Sequence, residues 1–384
     1  MDPTAELVRI GVEQRKSPVQ PLTFVSDTKE FDLASFESPE FKEASEIYRS
    51  EMADEYKDLQ DKRDSLFSHT LFQRARDVTN PFNDIGRFLF LNRAAVKIAN
   101  VDAVFNITRY PRNGAFRHSF PFRFADLCGG PGGFTQYVLW RNSEAVGGGI
   151  TLKTKGLDWD TRSLDMDRFT ITNGDGTGDV YNLNNCDEFV RIQNAGGNTQ
   201  LVMADGGFDL DSEFHLQEIM STRIILSQTY MALRIIEDGG DYVLKLFDTE
   251  TNVMKQIVFL ISSMFETITI FKPVSSRPAN GERYLVCKGF QTKPWLGDVV
   301  EMFKYILEAY NGFEKEDNLH CSLLLYTIPS AKFVEFIEHA NRESYSRQVS
   351  LIKDIEQYYE TKKVPESRYY PQRCLSLWNL PEKM

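Results

Sequence analysis

The most constraining stretch of this chain runs from Phe124 to Phe134, Phe-Ala-Asp-Leu-Cys-Gly-Gly-Pro-Gly-Gly-Phe, and continues into Thr135, Gln136, Tyr137, Val138, Leu139 and Trp140. A short apolar run ends in Asp126, four glycines and a proline force a tight turn, and an apolar-periodic segment follows, which spells strand, Gly-rich loop and helix. Glycines there let a ligand reach the backbone, and the helix start offers bared amides to a nucleotide-like ligand. The spacing is not that of a dinucleotide fingerprint, and no lysine-serine pair follows as a phosphate-binding P-loop requires. A structural turn with no ligand is the plain alternative.

Strands and helices alternate from there on. Ile150 to Leu152 reads as a weak strand, Thr170 to Thr177 as a polar turn, Asn185 to Ile192 as a short helix and Leu201 to Asp205 as a strand. Phe214 to Ile236 reads as a helix with Met220, Ile224, Met231 and Ile235 on one face. Tyr242 to Phe247 is a strand, Asn252 to Met264 a helix, and Thr267 to Phe271 and Arg283 to Phe290 are two strands with no helix between them. The order predicts an α/β fold, a Rossmann-like sheet that is mostly parallel with one antiparallel strand, flanked by helices on both faces. Residues 1–70 are expected as an N-terminal arm (1–38) and an exposed helix from Pro39 to about Phe67. Residues 71–290 form the main domain, in which Asn80 and Pro81 open a helix and 106–121 is loop. Residues 291–384 form a C-terminal helical extension packed on it.

Charge is unevenly placed. The net charge of -11 argues against indiscriminate nucleic-acid binding. Residues 71–123 nevertheless carry 9 basic side chains (Arg74, Arg76, Arg87, Arg93, Lys97, Arg109, Arg112, Arg117, Arg123) against 3 acidic ones, whereas residues 1–70 carry 9 against 16. A compact cationic surface beside the Gly loop would suit a short anionic substrate, and a solvated arginine-rich face is the alternative. No apolar run reaches membrane-spanning length and the first residues are acidic, so an intracellular protein without a membrane association is expected. Five scattered cysteines fit neither a disulfide nor a zinc spacing, and no metal site is expected.

Two strand-borne charges need a reason. Asp205 closes the run Leu201-Val202-Met203-Ala204 and precedes Gly206 and Gly207; Lys245 sits inside Tyr242-Val243-Leu244-Lys245-Leu246-Phe247. Central parallel strands are buried on both faces, where an unpaired charge is costly, and their carboxyl ends are where ligands bind. The two therefore read as a coupled pair facing a crevice, or as a buried structural ion pair.

The Gly-Gly-Pro-Gly-Gly-Phe loop, an upstream lysine, Asp-Gly-Gly after a strand, a strand lysine and a later glutamate together resemble the FtsJ-type RNA ribose 2'-O-methyltransferases, whose Lys-Asp-Lys-Glu tetrad matches Lys97, Asp205, Lys245 and Glu282. Phe90-Leu-Asn-Arg-Ala-Ala-Val-Lys97, Met203-Ala-Asp-Gly-Gly-Phe208, Phe271-Lys-Pro-Val-Ser-Ser-Arg-Pro-Ala-Asn-Gly-Glu-Arg-Tyr284 and Cys374-Leu-Ser-Leu-Trp378 resemble, within that superfamily, the eukaryotic mRNA cap-1 2'-O-methyltransferases. The likeness runs from about Arg74 to the C-terminus.

This resemblance implies an enzyme that uses S-adenosyl-L-methionine to methylate the ribose 2'-hydroxyl of the first transcribed nucleotide of capped mRNA. Lys245 would be the base, Asp205 would hold its geometry and Glu282 would orient Lys97. For the donor it implies Asp126, Cys128, Gly129, Gly130, Pro131, Gly132, Gly133 and Phe134, with Asn92 reaching the same ligand and Asp179 and Val180 flanking the adenine. An acid ending the second strand is absent from Ile150-Thr-Leu-Lys153, and Asp158 comes later. For the RNA it implies Arg76, His215, Leu216, Gln217 and Asn280. The implied partners are the capped mRNA 5' end and the transcription or capping machinery. The implied location is the nucleus, or the cytoplasm for an RNA made there. A ribosomal or transfer RNA 2'-O-methyltransferase and a catalytically silent RNA-binding protein on the same fold remain as alternatives, with a nicotinamide-dependent oxidoreductase behind them.

Overall fold

A computed structural model describes residues 23–26, 36–67, 69–80, 82–109, 121–207, 214–277, 279–313, 318–325, 328, 330–363 and 371–381. Most of the expected arm, Pro81, Arg112, Arg117 and much of the expected 106–121 loop lie outside the described residues.

An eight-stranded sheet organises the chain. Its strands are β1 (Thr23–Val25), β3 (Phe122–Leu127), β4 (Ala145–Ile150), β5 (Phe169–Thr172), β6 (Thr199–Ala204), β7 (Ile236–Leu246), β8 (Phe265–Phe271) and β9 (Arg283–Phe290), in the order β1-β8-β9-β7-β6-β3-β4-β5. Strands β5, β4, β3, β6 and β7 are mutually parallel, and β9 enters antiparallel between β7 and β8. β1, from the expected arm, adds a third antiparallel contact at the edge, pairing Thr23–Val25 with Thr267–Thr269 of β8. Its Phe24 is buried against Phe333 and Phe336, which explains why this piece of an otherwise polar segment docks.

The two faces of the sheet separate by the period-two rule. Ala125, Leu127, Val202, Ala204, Leu244 and Leu246 face one core with α6 (Leu183–Ala195), α7 (Gln217–Ile235), α8 (Asn252–Ser262) and α9 (Leu296–Gly312). Phe122, Phe124, Leu201, Met203, Val243 and Tyr284 face the other, with α4 (Arg93–Phe105) and α5 (Gly133–Arg141). Continuing the alternation past Met203 and Val243 puts Asp205 and Lys245 on that second face. α4 carries Lys97 there.

Residues 39–67 are not one exposed helix. They form part of β2 (Phe36–Glu43), then α1 (Ala44–Glu51) and α2 (Asp54–Phe67), and α2 buries Tyr56, Leu59, Gln60, Arg63 and Leu66. Its charges other than Arg63 lie on the outer side; each buried leucine contributes about 2 kcal/mol that an exposed helix would forgo. α2 and α3 (Phe72–Thr79) pack with the long helix α10 (Ala331–Thr361), and β2 pairs with β10 (Leu319–Leu325). The chain's two flanks thus pack on each other. At the C-terminus, α11 (Pro371–Leu377) leads to a buried Trp378, and Arg141 of α5 donates to the carbonyls of Trp378 and Asn379. No helix among the described residues is long and apolar enough to cross a membrane.

Candidate active site

The carboxyl ends of β3, β6 and β7 open onto one crevice, and the Gly loop between β3 and α5 forms its first wall. Asp126 is fully buried, and one carboxylate oxygen accepts from Thr135 N at 3.1 Å and Thr135 Oγ1 at 2.7 Å, tying the strand end to the helix start. Its other oxygen is buried with no hydrogen-bond partner, and burial pushes its pKa up to about 7. The end of β4 supports the loop, since Cys128 N donates to Ile150 O and Gly130 N to Thr151 Oγ1.

The glycines leave room for protein as much as for a ligand. A Cβ at Gly130 would lie 1.7 Å from Leu157 O, and one at Gly133 would lie 2.1 Å from Asn92 Oδ1. Asn92 caps α4 by accepting from Ala94 N at 3.0 Å, so helix α4 starts against the loop. The segment after β4 folds back in the same way: Asp160 N donates to Pro131 O at 3.0 Å, which returns the Leu157-Asp158-Trp159 stretch to the loop although Asp158 does not end the strand. Residues 177–180 close this side, with Lys153 N donating to Thr177 O at 2.7 Å, Val180 buried and Cys186 Sγ donating to Val180 O. Burial pushes the Cys128 thiol well above its ordinary range, with Cys186, Lys245, Asp126 and Asp179 acting on it more weakly.

The second wall carries charge. Lys97 Nζ reaches both carboxylate oxygens of Glu282, at 2.8 and 2.9 Å, and Ser276 Oγ donates to Glu282 Oε1. Burial opposes the Lys97 charge, but Glu282 and Asp205 overcome it and raise its pKa. Burial likewise opposes the Glu282 charge, and Lys97 and Lys245 outweigh it, holding the carboxyl at about 2. Lys245 Nζ donates to the backbone carbonyl of Asp205 and lies 3.3 Å from Asp205 Oδ1. All four tetrad side chains are between 10% and 17% exposed, so the group is sheltered yet open to one side. A Cβ at Gly207 would come within 2.8 Å of Lys245 Cε, so a side chain there would have to displace the lysine tail.

Sequence reasoning passed over several contributors. Tyr284 OH donates to Asp205 Oδ1 at 2.7 Å, and Tyr284 is the cross-strand partner of Lys245. Its signal was available: it is a polar-tipped aromatic at the start of the strand that follows Glu282. Ser276 and Lys272 carried no such signal, because both act through loop geometry.

The expected RNA residues come from several separate elements. Arg76 of α3 lies over the Phe72 ring and bonds to Asp77; its pKa is lowered by burial and by the nearby charges of Arg277 and Arg93. Arg277 also acts on Lys97, so these cations border the tetrad. Asn280 is held by Lys272 through both its carbonyl and its side chain. His215 lies in a short 3-10 turn (Phe214–Leu216), with Nδ1 3.7 Å from Asp64 and its ring against Tyr48. Leu216 is buried among Ile47, Tyr56 and Ile219, leaving its backbone rather than its side chain for any ligand, and Gln217 begins α7.

The expected cationic surface beside the Gly loop is divided. Arg76, Arg93 and Lys97 stand at the crevice, but Arg109 donates to Gly239 O and Arg123 lies beside Gly196 and Gly197, at the amino ends of the strands. α4 runs from the crevice to the far side of the sheet, so neighbours in sequence end up at opposite ends.

Residues 90–290 match the FtsJ-like methyltransferase family. The chain belongs to the FtsJ-like methyltransferases. It is 35% identical over 335 residues to the mouse cap-specific mRNA (nucleoside-2'-O-)-methyltransferase 1, an alignment covering 81% of this chain and 39% of that protein. Against the human protein of that name the identity is 34% over 332 residues, covering 81% and 40%. This chain spans about two fifths of the length of these curated relatives. A crystal structure of a putative ribosomal RNA methyltransferase from Plasmodium falciparum aligns at 19% identity and a TM-score of 0.37, over 53% of this chain and 99% of that one. A methyltransferase of this family takes its methyl group from S-adenosylmethionine, and the crevice fits that donor: the unpartnered buried oxygen of Asp126 is an acceptor awaiting a cationic or hydroxyl donor beside a helix N-terminus.

Proposed function

We propose that this FtsJ-like methyltransferase transfers a methyl group from S-adenosylmethionine to the ribose 2'-hydroxyl of the first transcribed nucleotide of capped mRNA. The observation that carries the reading is the tetrad: Lys97 paired with Glu282, and Lys245 with Asp205, on one sheltered face beside the Gly loop. S-adenosylmethionine supplies a methyl on a cationic sulfur and leaves as a neutral thioether. Lys245 acts as its neutral amine, having first given its own proton to solvent, and takes up the proton of the 2'-hydroxyl; S-adenosylmethionine would supply the methyl group to the oxygen so freed. Asp205 holds Lys245 through its backbone carbonyl and carboxylate, and Tyr284 holds the carboxylate. Glu282 fixes Lys97, whose charge stabilises the oxygen as it loses its proton. Alignment of oxygen, carbon and sulfur supplies much of the rest.

On the donor side, Asp126, Cys128, Gly129, Gly130, Pro131, Gly132, Gly133, Phe134 and Asn92 hold the amino-acid and ribose portions, and Asp179 and Val180 the adenine. On the RNA side, Arg76 and Asn280 with His215, Leu216 and Gln217 receive the cap. The cap's triphosphate bridge offers Arg76, Arg93 and Arg277 a dense anionic target, a recognition that an acidic protein achieves without a long duplex footprint. The substrate implies work in the nucleus beside the capping or transcription machinery, or in the cytoplasm where the RNA is made there.

The test is transfer of label from S-adenosylmethionine to capped, uncapped and N7-unmethylated RNA of one sequence. Capped RNA is expected to be methylated far better than uncapped RNA, with the advantage shrinking as salt rises. Equal transfer to both overturns the cap reading and leaves a ribosomal or transfer RNA substrate.

A further inference from the structure

The segment from Lys272 to Glu282, between β8 and β9, brings Glu282 and Asn280 to the crevice. An ammonium has three N–H donors, and Lys272 directs them at three oxygens of the far end of its own loop: Asn280 O at 2.6 Å, Asn280 Oδ1 at 2.9 Å and Glu282 O at 2.9 Å. The loop is also docked near its start, where Val274 N donates to Asn100 Oδ1 of α4, one turn beyond Lys97, and within the loop Ser276 Oγ donates to Glu282 Oε1. Lys272 therefore closes the loop at its base, and α4 anchors its first residues.

We infer that Lys272 is a positioning residue for RNA methylation, a cationic staple that sets where Asn280 and Glu282 stand without itself touching donor or acceptor. The inference rests on the function proposed above. Its consequence is a division of effects: loss of the staple loosens Asn280 on the RNA side and Glu282 beside Lys97, and leaves the Gly-loop wall alone.

The staple is also tuned near neutrality. Burial pushes the Lys272 pKa down to about 7, Glu282 of β9's approach and Asp248 beyond β7 pull it up, and Arg283 and Arg63 of α2 push it down again. Below that value the group has three N–H donors for three acceptors. Above it the neutral amine has two, and one oxygen of the loop loses its partner.

The experiment compares Lys272→Gln with the unaltered chain, following kcat and KM for capped RNA from pH 6 to pH 9, donor Kd by calorimetry, and amide hydrogen exchange of residues 274–283 in the free protein. In the unaltered chain KM is expected to rise as pH passes about 7. In Lys272→Gln KM is expected to be raised at every pH and flat, kcat/KM to fall roughly tenfold at pH 6, and donor Kd to stay within about twofold. A flat KM in the unaltered chain overturns the inference even if the variant fails to fold. Equal losses of donor and RNA affinity in the variant also overturn it, since they mark general damage. If the unaltered chain methylates no capped RNA, the functional reading fails instead; faster exchange of 274–283 in the variant then still supports the staple, and unchanged exchange refutes it.

Discussion

The two walls of the crevice are built by different means. The donor wall is nearly continuous in sequence, Asp126 to Thr135 with loops 151–160 and 173–180 folded against it, and it is made of backbone held by close packing. The acceptor wall is made of charged side chains from four separate places: Lys97 on a helix, Asp205 and Lys245 at strand ends, and Glu282 on a long loop. The difference teaches that the donor wall should fail by displacement of backbone and the acceptor wall by loss of a single functional group. Damage to one wall should therefore spare the other wall's ligand.

The strongest way to break this comparison is Lys245→Ala. Loss of the base is expected to lower transfer by about 10²–10⁴-fold while donor Kd, by calorimetry, moves only a few fold. Equal losses would merge the two walls into one site. A subtler probe is Gly207→Ala, whose new Cβ meets Lys245 Cε at 2.8 Å. The flexible lysine tail can shift, so melting temperature should hold while kcat falls by roughly 10–100-fold. A large drop in melting temperature with normal kcat would show that Gly207 serves the fold instead.

On the donor wall, Gly130→Val forces the Leu157 carbonyl away from the loop. Overpacking of this kind costs about 1–3 kcal/mol, so donor affinity should weaken roughly tenfold or more with RNA binding intact. The smallest effect is a pH dependence. Because burial raises Asp126 to about 7, its carboxyl is protonated below that pH and ionised above it. A donor carrying an ammonium beside the unpartnered oxygen should bind a few fold more tightly as pH rises from about 6 to 8, and Asp126→Asn should flatten the profile. A donor affinity that falls over that range would place Asp126 outside the donor site.

The donor wall was the more legible half. A Gly-rich turn after an apolar run spells strand, loop and helix locally, and the continuous apolar runs around Asp205 and Lys245 marked them as charges on buried strands. What stayed hidden was set by distant packing. The polar composition of residues 1–70 masked the apolar inner side of α2, and Phe24 alone gave little warning that a strand would join the sheet. The cationic region divided because α4 spans the sheet from end to end. The role of the glycines shifted for the same reason, since Leu157 and Asn92 fill space that local reasoning assigned to a ligand. Lys97 and Glu282 were found through family motifs; their ion pair, like the contacts of Lys272, Ser276 and Tyr284, depends on a loop closure that no local pattern encodes.

The most direct measurement is the position of the transferred methyl. Capped RNA labelled from S-adenosylmethionine is digested with nucleases that stop at 2'-O-methylated ribose, and the resistant fragment is identified by mass. All label is expected in the cap with its first nucleotide, on the ribose, and none is expected with Lys245→Ala. Label on a base, or on an internal ribose, would contradict the account.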